Sequence, residues 1–412
     1  MSAKPMYKLA KLSGLNVLRN KRRSILTIII IIVSFSVLSV FAGYINSQRT
    51  SWREIMIHND YGHIQIFNKD YFEDDNTSLE HVISQAEFEA VSDILNNIKN
   101  IQYFTPRLNI SGLIGNENST KIFIGSARSS TEEEKLFYFS PVKDGEYLTD
   151  EQPYGILVGF KLSERLKVNI GDQVMIMANS SQGSIEAIQA RIIGLLRTYS
   201  PLDEMAVHLR LEDVQDLILT KSYHNIVLLL DSYDSITEIK EILELQFARH
   251  KLPLVVKDFE QNATFFVQVV EMYESYFNIS LIVLSILIIF SLINTIFMSI
   301  TDRTKEFSTM KTIGINNRTI FVSIIFEGIF IALIGIVFGL ILAYFLQIGI
   351  NSFNLTLPPP PGSEERIPFM TVFDLLINLK IAGFFIFTAI LASIFPAYSV
   401  IKMNILKGLH ND

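Results

Sequence analysis

Apolar residues gather into four long runs along an otherwise mixed chain: 24–45, 276–300, 319–345 and 381–400. Each approaches or exceeds the roughly 20 residues a helix needs to cross hydrocarbon, and none holds more than one acidic or basic side chain. The pattern predicts four transmembrane helices. The first follows a basic prelude, residues 1–23, is longer than the apolar part of a secretory leader, and has no A-x-A-like site behind it. It reads as a retained anchor.

Between the first two spans the pattern changes to short alternating elements. Ser84-Gln-Ala-Glu87 has the spacing of a capping box and predicts a helix to about Ile98; Ser235-Ile-Thr-Glu238 predicts another to about Ala248. Strand-like runs fall at 62–67, 109–114, 121–125, 205–209, 226–230 and 254–256. A further unit, about 130–200, reads strand (ILVG, 156–159), helix (160–168), turn (NIGD, 169–172), strand (173–177), with RIIGLLRT (191–198) as another strand and Gly171 supplying the turn's positive φ. Residues 46–275 are therefore expected to fold as an α+β domain carrying an inserted subdomain at about 130–200. Residues 47–57 and 262–277 join it to the spans without a Gly or Pro break, as stalk helices.

Charge then gives the chain a direction. Residues 1–23, 301–318 and 401–412 together hold 13 basic and 3 acidic residues, whereas 45–275 holds 20 basic and 35 acidic. The positive-inside tendency places the first three on the cytoplasmic side, with both termini, and the acidic domain outside. With no cysteine in 412 residues, neither a disulfide framework nor a thiolate metal site is available. His58 and His63 lack the spacing and acidic company of metal ligands, so no metal site is expected. The basic N-terminus is explained by topology, and nucleic-acid binding is not expected.

Between the second and third spans, RTKEFSTMKTIG sets Phe307, Met310 and Ile313 at helical spacing, distributes Arg303, Glu306 and Lys311 around them, and stops at Gly314. It predicts a short amphipathic helix. Such a helix either rests in the headgroups as a connector or docks a cytoplasmic partner.

Several stretches, in this order, resemble one family. They are NVLRNKRRSILT (16–27); Gly145 to Leu148, ILVG, Leu162, Leu166 and V168-x-x-G171-D172-x-V174 in the outer domain; Asn294; R303-x-x-E306-F-x-x-M310-K311-x-I-G314; Glu327-Gly328; Phe395-Pro396-Ala397; and Ile405-Leu406-x-Gly408-Leu409. Together with four spans and one very large loop they resemble the permease subunits of ABC transporters of the macrolide-exporter, lipoprotein-releasing and FtsX-like kind. The resemblance implies an α-helical membrane protein with four transmembrane helices and a large α+β extracytoplasmic domain between helices 1 and 2, in a bacterial cytoplasmic membrane. It also implies that 301–318 is a coupling helix in a groove of a separate ATPase, with Phe307 and Met310 in its pocket and Arg303, Glu306 and Lys311 at its rim. A second permease, identical or related, completes the assembly. Lipoprotein, lipid or another amphiphilic cargo is then handled at the outer face, a mode termed mechanotransmission. ATP and Mg belong to the partner, since no Gly-Lys pair exists here to build a P-loop. The alternative is a non-transporting receptor or sensor, or a regulator of an extracytoplasmic enzyme; 18 residues between spans and a 12-residue tail leave little room for a signalling output.

The remaining candidates concern packing within the spans. Glu327 is the one acid of the third span, and a hydrogen-bonded structural role is expected of it. Gly335-x-x-x-Gly339 permits close helix approach, within one subunit or between two. Pro396 is expected to kink or end the fourth span, and Asn294 to pack within the second. LPPPPG, 357–362, reads as a stiff polyproline spacer in the outer loop 346–380.

Overall fold

The computed structural model describes residues 21–73, 79–130, 142–197, 205–357 and 367–402. The chain divides into two compact units, one of residues 50–268 with 357–367, the other of the remainder. In order, its elements are α1 (Lys21–Met56), β1 (Ile64–Asn68), α2 (Gln85–Leu95), β2 (Ile101–Gly115), β3 (Thr120–Arg128), β4 (Val142–Gly145), β5 (Gly155–Gly159), α3 (Phe160–Leu166), β6 (Gln173–Asn179), β7 (Ile185–Leu196), β8 (Ala206–Arg210) and α4 (Leu211–Leu217). They continue with β9 (Asn225–Leu230), α5 (Ile236–His250), β10 (Leu254–Asp258), α6 (Phe259–Asn262), α7 (Thr264–Asp302), α8 (Thr304–Thr312), α9 (Asn317–Ser352) and α10 (Leu375–Lys402).

The α+β unit is built on a split β-α-β. Strands run in the order β10-β1-β9-β2, all antiparallel. Taken with α2 and α5 they make the succession β-α-β-β-α-β of a ferredoxin-like sheet. β9, NIVLLL, is buried at every position, as a central strand must be. α5 sets Ile236, Ile239, Leu243 and Phe247 inward at helical spacing. α2 opens with the predicted capping box, the Ser84 hydroxyl accepting from the Glu87 N–H and the Glu87 carboxylate from the Ser84 N–H.

α5 opens differently from the expectation. A 3-10 turn, Tyr233–Ser235, precedes it, so Ser235 is already helical and its side chain caps nothing; Ser232 accepts from the Asp234 N–H instead. The serine three positions earlier is the better placed one because the turn has shifted the start.

The inserted part is larger than residues 130–200. β2 is one strand of 15 residues whose first half pairs with β9 and whose second half, from Leu108, pairs with β3 and β6. The pairings β2-β3-β8-β5-β7-β6-β2 close a six-strand ring, with β4 on the outer side of β7. Closure leaves the ring without free edges. Gly171 turns at φ 97°, as its place before β6 requires. Ring and sheet share one hydrophobic core, from Ile64 and Leu228 through Ile110 to Val158 and Ile176. The insertion is thus not a separately cored subdomain.

Among the described residues, the other unit holds four long apolar helices: α1, α7, α9 and α10. Its centre is a ladder of Ile31, Phe35, Leu38 and Ala42 on α1 against Ile331, Ala332 and Ile336 on α9 and Phe385 and Ala389 on α10. Small and hydroxylated residues let the helices close. The Thr27 hydroxyl lies 2.6 Å from that of Thr295 and 2.9 Å from that of Ser291, and the Ser36 hydroxyl donates to the Gly339 carbonyl at 3.0 Å. A Cβ on Gly335 would meet Ile31 at 2.5 Å, and one on Gly339 would meet Phe35 at 3.0 Å. The Gly335/Gly339 pair therefore serves packing inside one subunit, where the sequence left two options open.

One further expectation for the spans is corrected and one is narrowed. Asn294 does not pack within the bundle; it is exposed on α7, because the inward face of that turn is taken by Leu292, Thr295 and Ile296. Pro396 does not end α10, which runs on to Lys402. Pro396 is buried in the helix, and the Ser399 hydroxyl donates back to its carbonyl. The PPPPG segment lies outside the described residues, as do residues 1–20 and Ile405, Leu406, Gly408 and Leu409.

Candidate functional site

α7 stops at Asp302 because Arg303 leaves the helical conformation, φ −114°, and α8 starts one residue later. The chain then runs through Phe307 and Ser308, both buried, to a C-terminal cap of the Schellman kind. The Gly314 N–H donates to the Lys311 carbonyl and the Ile315 N–H to that of Met310, with Gly314 at φ 87°. No atom crowds a Cβ at Gly314, so the positive φ alone demands glycine there. Asn316 then caps α9, its side chain accepting from the Arg318 N–H.

The R-x-x-E and E-G stretches, 24 residues apart from Arg303 to Glu327, meet in space. Arg303 Nε donates to Glu306 at 2.8 Å, and its Nη1 lies 3.3 Å from Glu327 Oε2. The Ser299 hydroxyl donates to the other Glu327 oxygen at 2.7 Å. Arg303 and Glu327 are both buried, and the guanidinium also lies 5.0 Å from the Phe307 ring centroid. This satisfies a carboxylate that would otherwise be costly inside the bundle. Ser299 carries no motif; its only sequence signal is its position four residues before Arg303 on the helical face they share.

A second tie runs to the fourth span. Lys311 Nζ donates to the carbonyls of Val400 and Ile401 at 2.7 and 2.9 Å, in the last described turn of α10. Desolvation lowers the Lys311 pKa below its ordinary value. Beneath lie Phe307 and Met310, packed with Ile296, Ile300, Ile320, Ile324, Ala397 and Val400. Next to Glu327, a Cβ on Gly328 would stand 2.0 Å from the Ser393 hydroxyl, so α9 and α10 touch there.

These contacts correct the expected direction of α8. Phe307, 3% exposed, points into its own bundle with Met310 half-covered beside it, and Arg303 and Lys311 are tied inward. The free face consists of Lys305, Thr309 and Thr312, continued beyond the helix by Ile313 and Ile315 and, at the start of α9, by Arg318. Ile313, at 75% exposure, is its most prominent apolar residue. The amphipathic period was there in the sequence, but a membrane-side helix has two apolar neighbours to choose from, and the bundle claims the stripe.

Among the described residues no group of three His, Asp or Glu is arranged to hold a metal. His63 is buried and accepts the Leu230 N–H, and burial, with His58 and Arg53 nearby, lowers its pKa from 6.5 to about 4. It is a neutral core histidine.

Four apolar helices, an α+β domain between the first two, and a short helix after the second that is tied to the third and fourth define a membrane permease architecture. Residues 24–245 match the MacB-like periplasmic core domain, and residues 278–405 match the FtsX-like permease C-terminal region. The chain belongs to the family of ABC transporter permeases composed of these two parts. It is 21% identical over 278 residues to the lipoprotein-releasing system transmembrane protein LolC of Xylella fastidiosa. That match covers 63% of this chain and 65% of LolC, a little under two thirds of the relative's own length. It is also 21% identical over 285 residues to an uncharacterised ABC transporter permease of Methanocaldococcus jannaschii, covering 66% of each. The periplasmic region of MacB from Actinobacillus actinomycetemcomitans aligns with 50% of this chain and 92% of its own, at 17% identity and a TM-score of 0.36.

Proposed function

We propose that this chain is the permease subunit of an ATP-driven ABC transporter of the cytoplasmic membrane, working as a pair of permeases with two copies of a separate ATPase. Both termini and α8 face the cytoplasm, and the α+β domain faces outward. The chain performs no catalysis; ATP and Mg are bound by the partner. A push on α8 during ATPase closure moves the membrane helices, and through them the outer domains that act on lipoprotein, lipid or another amphiphilic cargo.

The observation that carries this reading is the double anchoring of α8, through Arg303–Glu327 to the third span and through Lys311 to the fourth. A connector resting in headgroups gains little from such ties. A lever must have them, because force applied to a loosely held helix is lost in its own motion.

The exposed tip supplies the test. A buried apolar anchor at an interface is commonly worth on the order of 2 kcal/mol, or some thirtyfold in affinity. Ile313→Asp, at a site that makes no core contact, should insert and melt like the parent, yet lose ATPase co-purification and cargo-stimulated hydrolysis. Undiminished ATPase recovery with Ile313→Asp would sink the coupling assignment and favour the headgroup connector.

A further inference from the structure

Where α7 ends at Asp302, beside the last described turn of α10, a cleft of about 550 Å³ lies between them. Its walls are apolar and aromatic: Phe297 and Phe395, with ring centroids 5.7 Å apart, then Ile300 and Tyr398. Toward the end of α7 it becomes polar. Lys402 stands at its rim, exposed, with its ammonium 4.8 Å from the Tyr398 ring centroid. The Thr301 hydroxyl donates to the Phe297 carbonyl and the Thr304 hydroxyl to the carbonyls at the end of α7, Ile300 and Thr301, which leaves their oxygens as acceptors toward the cleft. Among the described residues no carboxylate lines it.

This gradient runs along the span axis, apolar within the bilayer and cationic where the helices leave it. It is complementary to one kind of molecule: an amphiphile with a hydrocarbon chain and an anionic headgroup. We propose that the cleft is a binding site for an anionic phospholipid of the surrounding bilayer, its chain against Phe297 and Phe395, its phosphate on Lys402, and its headgroup hydroxyls donating to Thr301 and Thr304. Thr304 opens α8, so the bound lipid abuts the helix that Arg303 anchors. The site depends on the four helices spanning a membrane and on nothing said of an ATPase.

The test uses the full chain reconstituted in vesicles. Trp52 is the only tryptophan, so Trp52→Phe combined with Phe395→Trp places a single fluorophore in the cleft wall. Brominated phosphatidylglycerol should quench it with on the order of fivefold preference over brominated phosphatidylcholine at equal mole fraction, the effect of one lysine at an anionic surface. Lys402→Gln should abolish the preference. Equal quenching by both lipids overturns the proposal, since the cleft then holds only ordinary boundary lipid. Quenching by neither overturns it as well, because protein then covers the cleft, whether a second copy, the chain's own C-terminal residues or a partner. The unmutated chain gives an independent reading: after a delipidating detergent wash it should retain phosphatidylglycerol by mass spectrometry, and Lys402→Gln should not. A parent that retains none refutes the site whatever the fluorescence shows.

Discussion

At the scale of single residues, the decisive feature is a charge pair where charges are expensive. Glu327 is held by Ser299 and Arg303, and Arg303 in turn by Glu306. Removing Glu327 leaves the buried Arg303 with only the half-exposed Glu306 to offset it; breaking a buried pair typically costs about 3–5 kcal/mol, whereas replacing both partners by apolar residues is often neutral. Glu327→Leu should therefore lower the melting temperature of the detergent-solubilised protein well below the parent's. Glu327→Gln keeps an acceptor for Ser299 and should fall between the two. Arg303→Met combined with Glu327→Leu should recover most of the loss. A melt for Glu327→Leu indistinguishable from the parent's would show that the pair carries no stability. The acid in the third span stood out in the sequence because nothing around it was charged. Its partner did not, since Arg303 also fits a solvated rim and only the fold brings it back beneath residue 327.

Among the elements, the membrane helices depend on small residues at specific crossings, and Gly328 is the tightest. Gly to Ala in a helix interior ordinarily stabilises by roughly 0.5–1 kcal/mol. Here the added methyl would overlap the Ser393 hydroxyl, whose residue is wholly buried and whose oxygen already donates to the Ala389 carbonyl. Gly328→Ala should then destabilise by about 1–3 kcal/mol, as overpacking does. Ser393→Ala removes the clashing oxygen and leaves a contact of 3.3 Å to the Ser393 Cβ, so the double variant should recover most of the stability. Failure of that rescue in thermal unfolding would show that the strain lies elsewhere. Glycine spacing made close approach legible at Gly335 and Gly339, but the partner helix was not, because spacing describes one helix and contact needs two. The same limit explains α5: the S-x-x-E signature was real, but the 3-10 turn that moved the cap to Ser232 is set by how residues 231–235 leave β9.

For the whole molecule, the four apolar runs and the acidic domain between the first two were legible, because span length and charge are local sums. The six-strand ring was not. Its closure depends on β2 changing partners at Leu108 and on β6 meeting both β2 and β7, through distant pairings such as Gly112 with Ala178 that no window of sequence reports. What charge does claim is a direction through the membrane, and the fold supplies good places to test it. The chain has no cysteine, so single thiols can be introduced without background. Gln182 lies in the exposed turn between β6 and β7, and Thr309 lies on the free face of α8. Both accept a cysteine without touching a core; the nearby Ser180 and Ser308 are buried and would label poorly for that reason alone. With 13 basic against 3 acidic residues in the segments assigned to the cytoplasm, the orientation should be uniform. A membrane-impermeant maleimide added to intact cells, with any outer membrane permeabilised, should label Gln182→Cys and spare Thr309→Cys until the cells are lysed. The reverse pattern would invert the topology and remove α8 from the reach of any cytoplasmic ATPase, so the same two thiols decide whether the lever can be pushed at all.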